Sequence, residues 1–152
     1  MASTRLNIQN QLVTILGTIT TGNGYNNTVA KVTKKLKKLD SIPKYPELSV
    51  LAGVQKKIPA DESGTLYKVT ATFAVVGYVR TTEDVTDSGL LNDACDKLIE
   101  DINEALLSET SLYTVGVKQL VIEEDEPLLD YESNFGLVFV IISVIYYHDN
   151  NI

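Results

Sequence analysis

The stretch Asn134–His148, NFGLVFVIISVIYYH, decides how the chain is read. It is the most apolar segment of the sequence and is rich in β-branched and aromatic residues, which suit a strand. Alternation sorts it into two sets. Phe135, Leu137, Phe139, Ile141, Ile145 and Tyr147 point one way; Gly136, Val138, Val140, Ile142, Val144 and Tyr146 point the other. Both sets are apolar, so the strand is expected to be covered on both sides. The run Leu137–Tyr147 is interrupted by Ser143 and falls well short of the ~20 residues a spanning helix needs.

Working back from this strand, Val115–Glu124 reads as another strand. Val117 and Val121 are expected on one face, Leu120 and Ile122 near the other. Asp125–Ser133, with Pro127, reads as an acidic loop between the two strands. Ahead of them, Leu90–Leu107 has a helical apolar stripe of Leu91, Ala94, Leu98, Ile102, Ala105 and Leu106. Asp93, Asp96, Lys97, Glu100, Asp101 and Glu104 are expected to face water, and Asp84, Asp87 or Ser88 to cap the helix. Cys95 lies beside the stripe and reads as a small, partly buried side chain.

Thr65–Arg80 alternates cleanly: Tyr67, Val69, Ala71, Phe73, Val75 and Val79 against Lys68, Thr70 and Thr72. It is a half-buried strand, joined through the polar turn PADESG (Pro59–Gly64) to a strand over Glu47–Ile58. In that strand Leu48 and Val50 point inward and Gly53 marks a bulge or bend. Ile42–Pro46 holds two prolines and must be extended or looped. Thr28–Leu39 reads as an edge strand with Val29, Ala30 and Val32 inside, running out into lysines. Gly22–Asn27, GNGYNN, is a loop. It follows a helix and lacks a third glycine, so it is not a nucleotide-binding fingerprint. Residues 5–20 form that helix, with Ile8, Leu12, Ile15, Leu16 and Ile19 on one face.

The 152 residues fit one domain, 1–152. Met1–Asn10 has one Arg and no apolar run, so no secretory leader is expected. One Cys excludes an intrachain disulfide and suits a reducing compartment. The net charge of −7 conceals a split. Residues 1–58 carry nine Lys/Arg against two Asp/Glu, a balance of +7; residues 59–152 carry four against eighteen, a balance of −14. This is either the accident of solvated faces or a subunit with one basic and one acidic surface, suited to head-to-tail contact.

No catalytic constellation emerges. A triad would have to use the single His148, and zinc would need more Cys and His than the chain holds. Glu123, Glu124, Asp125, Glu126, Asp130 and Glu132 offer oxygen ligands for calcium or magnesium. Their spacing is not that of a calcium loop, which favours a solvated segment. Lys31, Lys34, Lys35, Lys37 and Lys38 admit a nucleic-acid reading, but no aromatic is interleaved to stack on bases. Lysines that guard a sheet edge are the plainer account. Tyr25, Tyr45, Tyr113 and Tyr131 fall in expected loops, as contact residues or as anchors on their own domain. The closing strand, at ~3.3 Å per residue, would span roughly 50 Å. Part of it, Ile145–His148, is therefore expected to reach past the domain to a neighbouring copy.

Taken in order, the elements resemble those of phage tail terminator proteins. The likeness lies in the N-terminal amphipathic helix Leu6–Ile19 leading to a first strand and in the long strand TLYKVTATFAVVGYVR after a polar turn. It continues through the helix LLNDACDKLIEDINEALL, the short loop SETSLY, and GVKQLVIEEDEPLLDYESNFGLVFVIISVIYYHD. It covers most of the chain and is one of pattern, without a short diagnostic motif. It implies an α+β fold: a mixed, mainly antiparallel sheet of about five strands packed by two main helices. It also implies a virion protein of the tail or neck, assembled in the host cytoplasm, with no enzymatic activity and no cofactor. Such proteins form rings, hexameric in the family, that cap the tail tube, stop its polymerisation and offer the other face to the head–tail connector. Partners would be further copies of the chain, the tube protein and connector proteins, with DNA passing through the centre. The candidate interface residues are Lys31, Lys34, Lys35, Lys37, Lys38, Glu123, Glu124, Asp125, Glu126, Tyr146 and Tyr147. The alternatives are another neck, head–tail joining or tail tube protein, and a nucleic-acid-binding module using Lys31–Lys38.

Overall fold

The computed structural model describes residues 4–81, 88–108, 110–129 and 134–149. The fold is α+β. Helix α1 (Thr4–Leu16) leads to the strands β1 (Lys31–Thr33), β2 (Glu47–Pro59) and β3 (Leu66–Arg80). Helix α2 (Ser88–Ser108) and strands β4 (Gln119–Leu129) and β5 (Phe135–Asp149) complete it. The sheet order is β1-β2-β3-β5-β4, with β1–β2 parallel and the other pairs antiparallel. The segment read first is thus next to the sheet's centre, paired with β3 along its whole length from Arg80↔Phe135 to Leu66↔Asp149.

Both helices lie on one side. Ile8, Leu12, Ile15 and Leu16 of α1 and Leu91, Leu98, Ile102, Ala105 and Leu106 of α2 are buried. They share one core with Val69, Ala71, Phe73 and Val75 of β3 and Val138, Val140, Ile142 and Val144 of β5. Burying each of the Val, Leu, Ile and Phe side chains contributes about 1.5–3 kcal/mol before chain entropy is set against it. The close approach of α2 to β3 depends on Gly77: a Cβ there would meet Val138 Cγ2 at 2.4 Å and Leu98 Cδ2 at 2.8 Å. Gln9 Nε2 donates to the Val50 carbonyl at 2.9 Å and the Arg5 guanidinium donates to the Gly53 carbonyl, fixing α1 over β2.

Neither α-helix lies on the other side, where the described residues place only the crossover with its short 3-10 turn Leu39–Ser41. A parallel β1–β2 pair needs a crossover, and here residues 34–46 supply it without an α-helix. Leu39, Ile42 and Tyr45 of this crossover pack on Val76 and Tyr78 of β3 and on Leu137 and Phe139 of β5. Beyond them the sheet is open among the described residues. Expected cover on both sides of β5 is therefore corrected: one face is fully buried, while Ile141, Ser143 and Ile145 on the other keep partial access.

Several boundaries also differ. Helix α1 ends at Leu16, and Ile19 is buried from the turn that follows. The edge strand shrinks to Lys31–Thr33, with Ala30 exposed. Residues 125–129, expected in a loop, continue β4, because a bulge between Ile122 and Glu124 re-aims the strand. Val117 precedes β4 and is buried with the helices, whereas Val121 faces the open side. The bulge expected at Gly53 is present, as a register shift between Ala52 and Gln55. Ser88 begins α2; Asp84, Asp87, Asp130, Tyr131 and Glu132 lie outside the described residues.

Candidate functional site

The strand order places the two charged segments at opposite edges of one sheet. Lys31, Lys34, Lys35 and Lys38 are exposed along β1 and the start of the crossover. Glu123, Glu124, Asp125 and Glu126 are exposed along β4. Four strand spacings separate β1 from β4, roughly 19 Å. That exceeds the Debye length of about 8 Å in physiological salt, so the edges do not neutralise one another within a chain.

The individual charges differ in what they are free to do. Lys37 is internal: its Nζ lies 2.9 Å from Glu47 Oε2, with the two side chains 23% and 1% exposed. The angles at that contact miss those of a hydrogen bond, so charge rather than a directed bond holds it. The Lys37 backbone N–H donates to the Tyr78 hydroxyl at 2.8 Å, and that hydroxyl lies 3.2 Å from Ser49 Oγ, its donor. Lys37 thus ties the crossover to the sheet. Lys34 donates to Asn10 Oδ1, and Asp125 accepts from Asn103 Nδ2 at 3.0 Å. Lys35 and Lys38 on one edge, and Glu124 and Glu126 on the other, extend on the open side.

The aromatic pair at the chain end divides. Tyr147 is 47% exposed on the open face. Tyr146, expected at an interface, is 4% exposed on the helix side and donates to Gln55 Oε1 at 2.9 Å. Burial raises its pKa, with Arg5 opposing. The end of β5 stays paired with β3 through Asp149, so Ile145–His148 does not run free of the sheet. It does outrun β4, whose pairing stops at Gln119↔Ile145.

Two apolar features flank these charges. Leu36, between Lys35 and Lys37, is 60% exposed. At the far edge Leu128, Phe139 and Ile141 form a groove of 220 Å³ rimmed by Glu124 and Glu126. A separate 220 Å³ cleft beside the β2–β3 hairpin is lined by Thr4, Arg5, Gln55, Lys57, Tyr146 and His148. The single histidine therefore neighbours cationic, amide and hydroxyl groups, with no carboxylate among the described lining residues. Cys95 is fully buried, its Sγ facing Gly136, and burial reinforced by Asp96 pushes its pKa up to about 11. Such a thiol stays protonated at neutral pH. Among the described residues no group of three or more His, Cys, Asp and Glu is placed to hold a metal ion.

A scan against protein-family models and a search of curated proteins each return no match. No helix among the described residues is long and apolar enough to cross a membrane.

Sequence reasoning missed three residues that matter. Asp101, expected in water, is buried and accepts from the backbone N–H groups of Asn26 and Asn27 and from Asn27 Nδ2, each at 2.9 Å. Its position three residues after Leu98 and four before Ala105 sets it on the apolar stripe, which was the available signal. Glu47 and Tyr78 are buried beneath the crossover, a placement that no periodicity reports. The Tyr45 ring packs 5.9 Å from Phe135 and its hydroxyl donates to the Leu39 carbonyl, so it anchors its own domain.

Proposed function

We propose that the chain is a structural virion protein that forms a closed ring of identical subunits, capping a phage tail tube, stopping its growth and presenting the head–tail attachment surface. The observation that carries this reading is the placement of a basic and an acidic edge on opposite sides of one sheet. Identical patches would favour a two-fold dimer; unlike, complementary edges favour a head-to-tail contact, which closes into a ring when its rotation allows. The element order, which resembles that of tail terminator proteins, supports the same reading.

The physical logic of a cap follows. A tube grows because each ring presents the next with the surface it has itself bound. A ring that matches the tube on one face and differs on the other ends the series. The test is direct. Adding the purified chain to the tube protein of the same phage should arrest tube growth and leave single rings at tube ends. Tubes of unchanged length with no end-bound chain would overturn the proposal, and long tubes formed by the chain alone would reassign it as the tube protein. A salt-sensitive complex with duplex DNA, in the absence of self-assembly, would favour the nucleic-acid alternative.

A further inference from the structure

The open side of the sheet carries a knob and a hole at its two edges. The knob is Leu36, a solvent-facing leucine flanked by Lys35 and Lys38, with Lys37 held back by Glu47. The hole is the groove over Leu128, Phe139 and Ile141, with Glu124 and Glu126 on its rim. The groove is open to solvent and has a volume of 220 Å³. One exposed leucine is ordinary by itself; what singles out Leu36 is a complementary apolar groove, oppositely charged at its rim, on the other edge of the same face.

Leu36 lies beyond β1, but its neighbours tie it to two rows of the sheet: Ser49 Oγ donates to the Lys35 carbonyl and the Lys37 N–H donates to the Tyr78 hydroxyl. Register carries those rows across to the groove. Lys31 pairs with Glu47, Glu47 with Tyr78, Tyr78 with Leu137 and Leu137 with Leu128. One row on, Thr33, Ser49, Val76, Phe139 and Glu126 form a continuous line across the sheet. A second copy set beside the first, displaced along the sheet's width, therefore brings its basic edge level with the acidic groove. No shift along the strands is required.

We infer that Leu36 of one subunit seats in the Leu128–Phe139–Ile141 groove of the next copy of this chain, with Lys35 and Lys38 meeting Glu124 and Glu126. This rests on the ring reading and names the contact that would build it. The occupant is a second copy because the same chain supplies both complements, opposite in charge and matched in height. The contact is heterologous: it leaves one free edge of each kind at every step until the ring closes. Rim charges of this sort set encounter rate and register, while the buried leucine holds the complex.

The test is charge reversal at each edge, followed by light scattering, with melting curves to check the fold. K35E/K38E and E124K/E126K should each weaken self-association at least tenfold without changing the melting temperature of the monomer. The chain carrying all four reversals should assemble again, because attraction is restored with exchanged signs. Leu36→Ser should weaken assembly while leaving its salt dependence in place. If the native chain assembles and each single-edge variant assembles equally well, this contact is overturned while the ring stands. If the native chain remains a monomer at every concentration, the ring reading falls and this inference with it.

Discussion

Val138, Val140, Ile142 and Val144 are fully buried beneath the helices, whereas Ile141 and Ile145, on the same strand, keep part of their surface in water. Nothing in their composition separates the two sets. What separates them is supply: α1 and α2 both pack on one side, and among the described residues the cover for the other is the short crossover through Leu39, Ile42 and Tyr45. The first face has finished its folding problem within one chain. The second has an apolar strip left over, rimmed by charge, which is the usual composition of a surface that meets a partner.

The sharpest test of that contrast is a matched pair of deletions. Phe73→Ala on the helix side should cost about 3–5 kcal/mol in urea unfolding, since the cavity is walled by packed neighbours. Phe139→Ala on the open side should cost about 1 kcal/mol, because its surroundings are already partly solvated. Equal costs would mean that the open face is as tightly built as the core.

The lysines allow the same comparison on a smaller scale. Lys37→Ala strands the buried Glu47 carboxylate and should destabilise the fold by about 3 kcal/mol, the low end for a broken buried pair because Lys37 keeps some access. Lys35→Ala and Lys38→Ala should stay within about 0.5 kcal/mol of the native chain. An inert Lys37→Ala would show that the pair does not hold the crossover down.

A further effect is confined to alkaline solution. Burial raises the Cys95 pKa from its ordinary 9.0 to about 11, so between these values the folded chain binds more protons than the unfolded one. The stability from this group is fully present below pH 9 and is lost as pH rises toward 11, at no more than about 1.4 kcal/mol per unit. Cys95→Ala should remove that part of the slope. An unchanged slope would place the thiol in contact with solvent.

Much of this was legible in the sequence. Alternation in Thr65–Arg80 identified that strand and its faces, because period two survives wherever one side is buried; in Asn134–His148 both sets are apolar, so the strand was legible but not which face the helices cover. The stripe from Leu91 to Leu106 identified α2 for the corresponding reason. Residues 28–46 were read less well. A three-residue strand and a looped crossover carry no period, and burial of Glu47 depends on a lysine ten positions earlier. Pro127 misled in the opposite way: proline argues against a central strand, but β4 is an edge, where a missing N–H costs no ladder bond. The lysine and glutamate clusters were visible as charge. Their placement on opposite sheet edges required the strand order, and the significance of Leu36 required its exposure.

The central claim is that the two edges of one sheet are complements that meet between copies and close. Light scattering of the native chain over a wide concentration range tests it most directly. The account predicts one discrete particle whose mass is a whole multiple of 16.7 kDa and which dissociates in high salt. A 16.7 kDa particle at every concentration would contradict it, as would a mass that grows without limit.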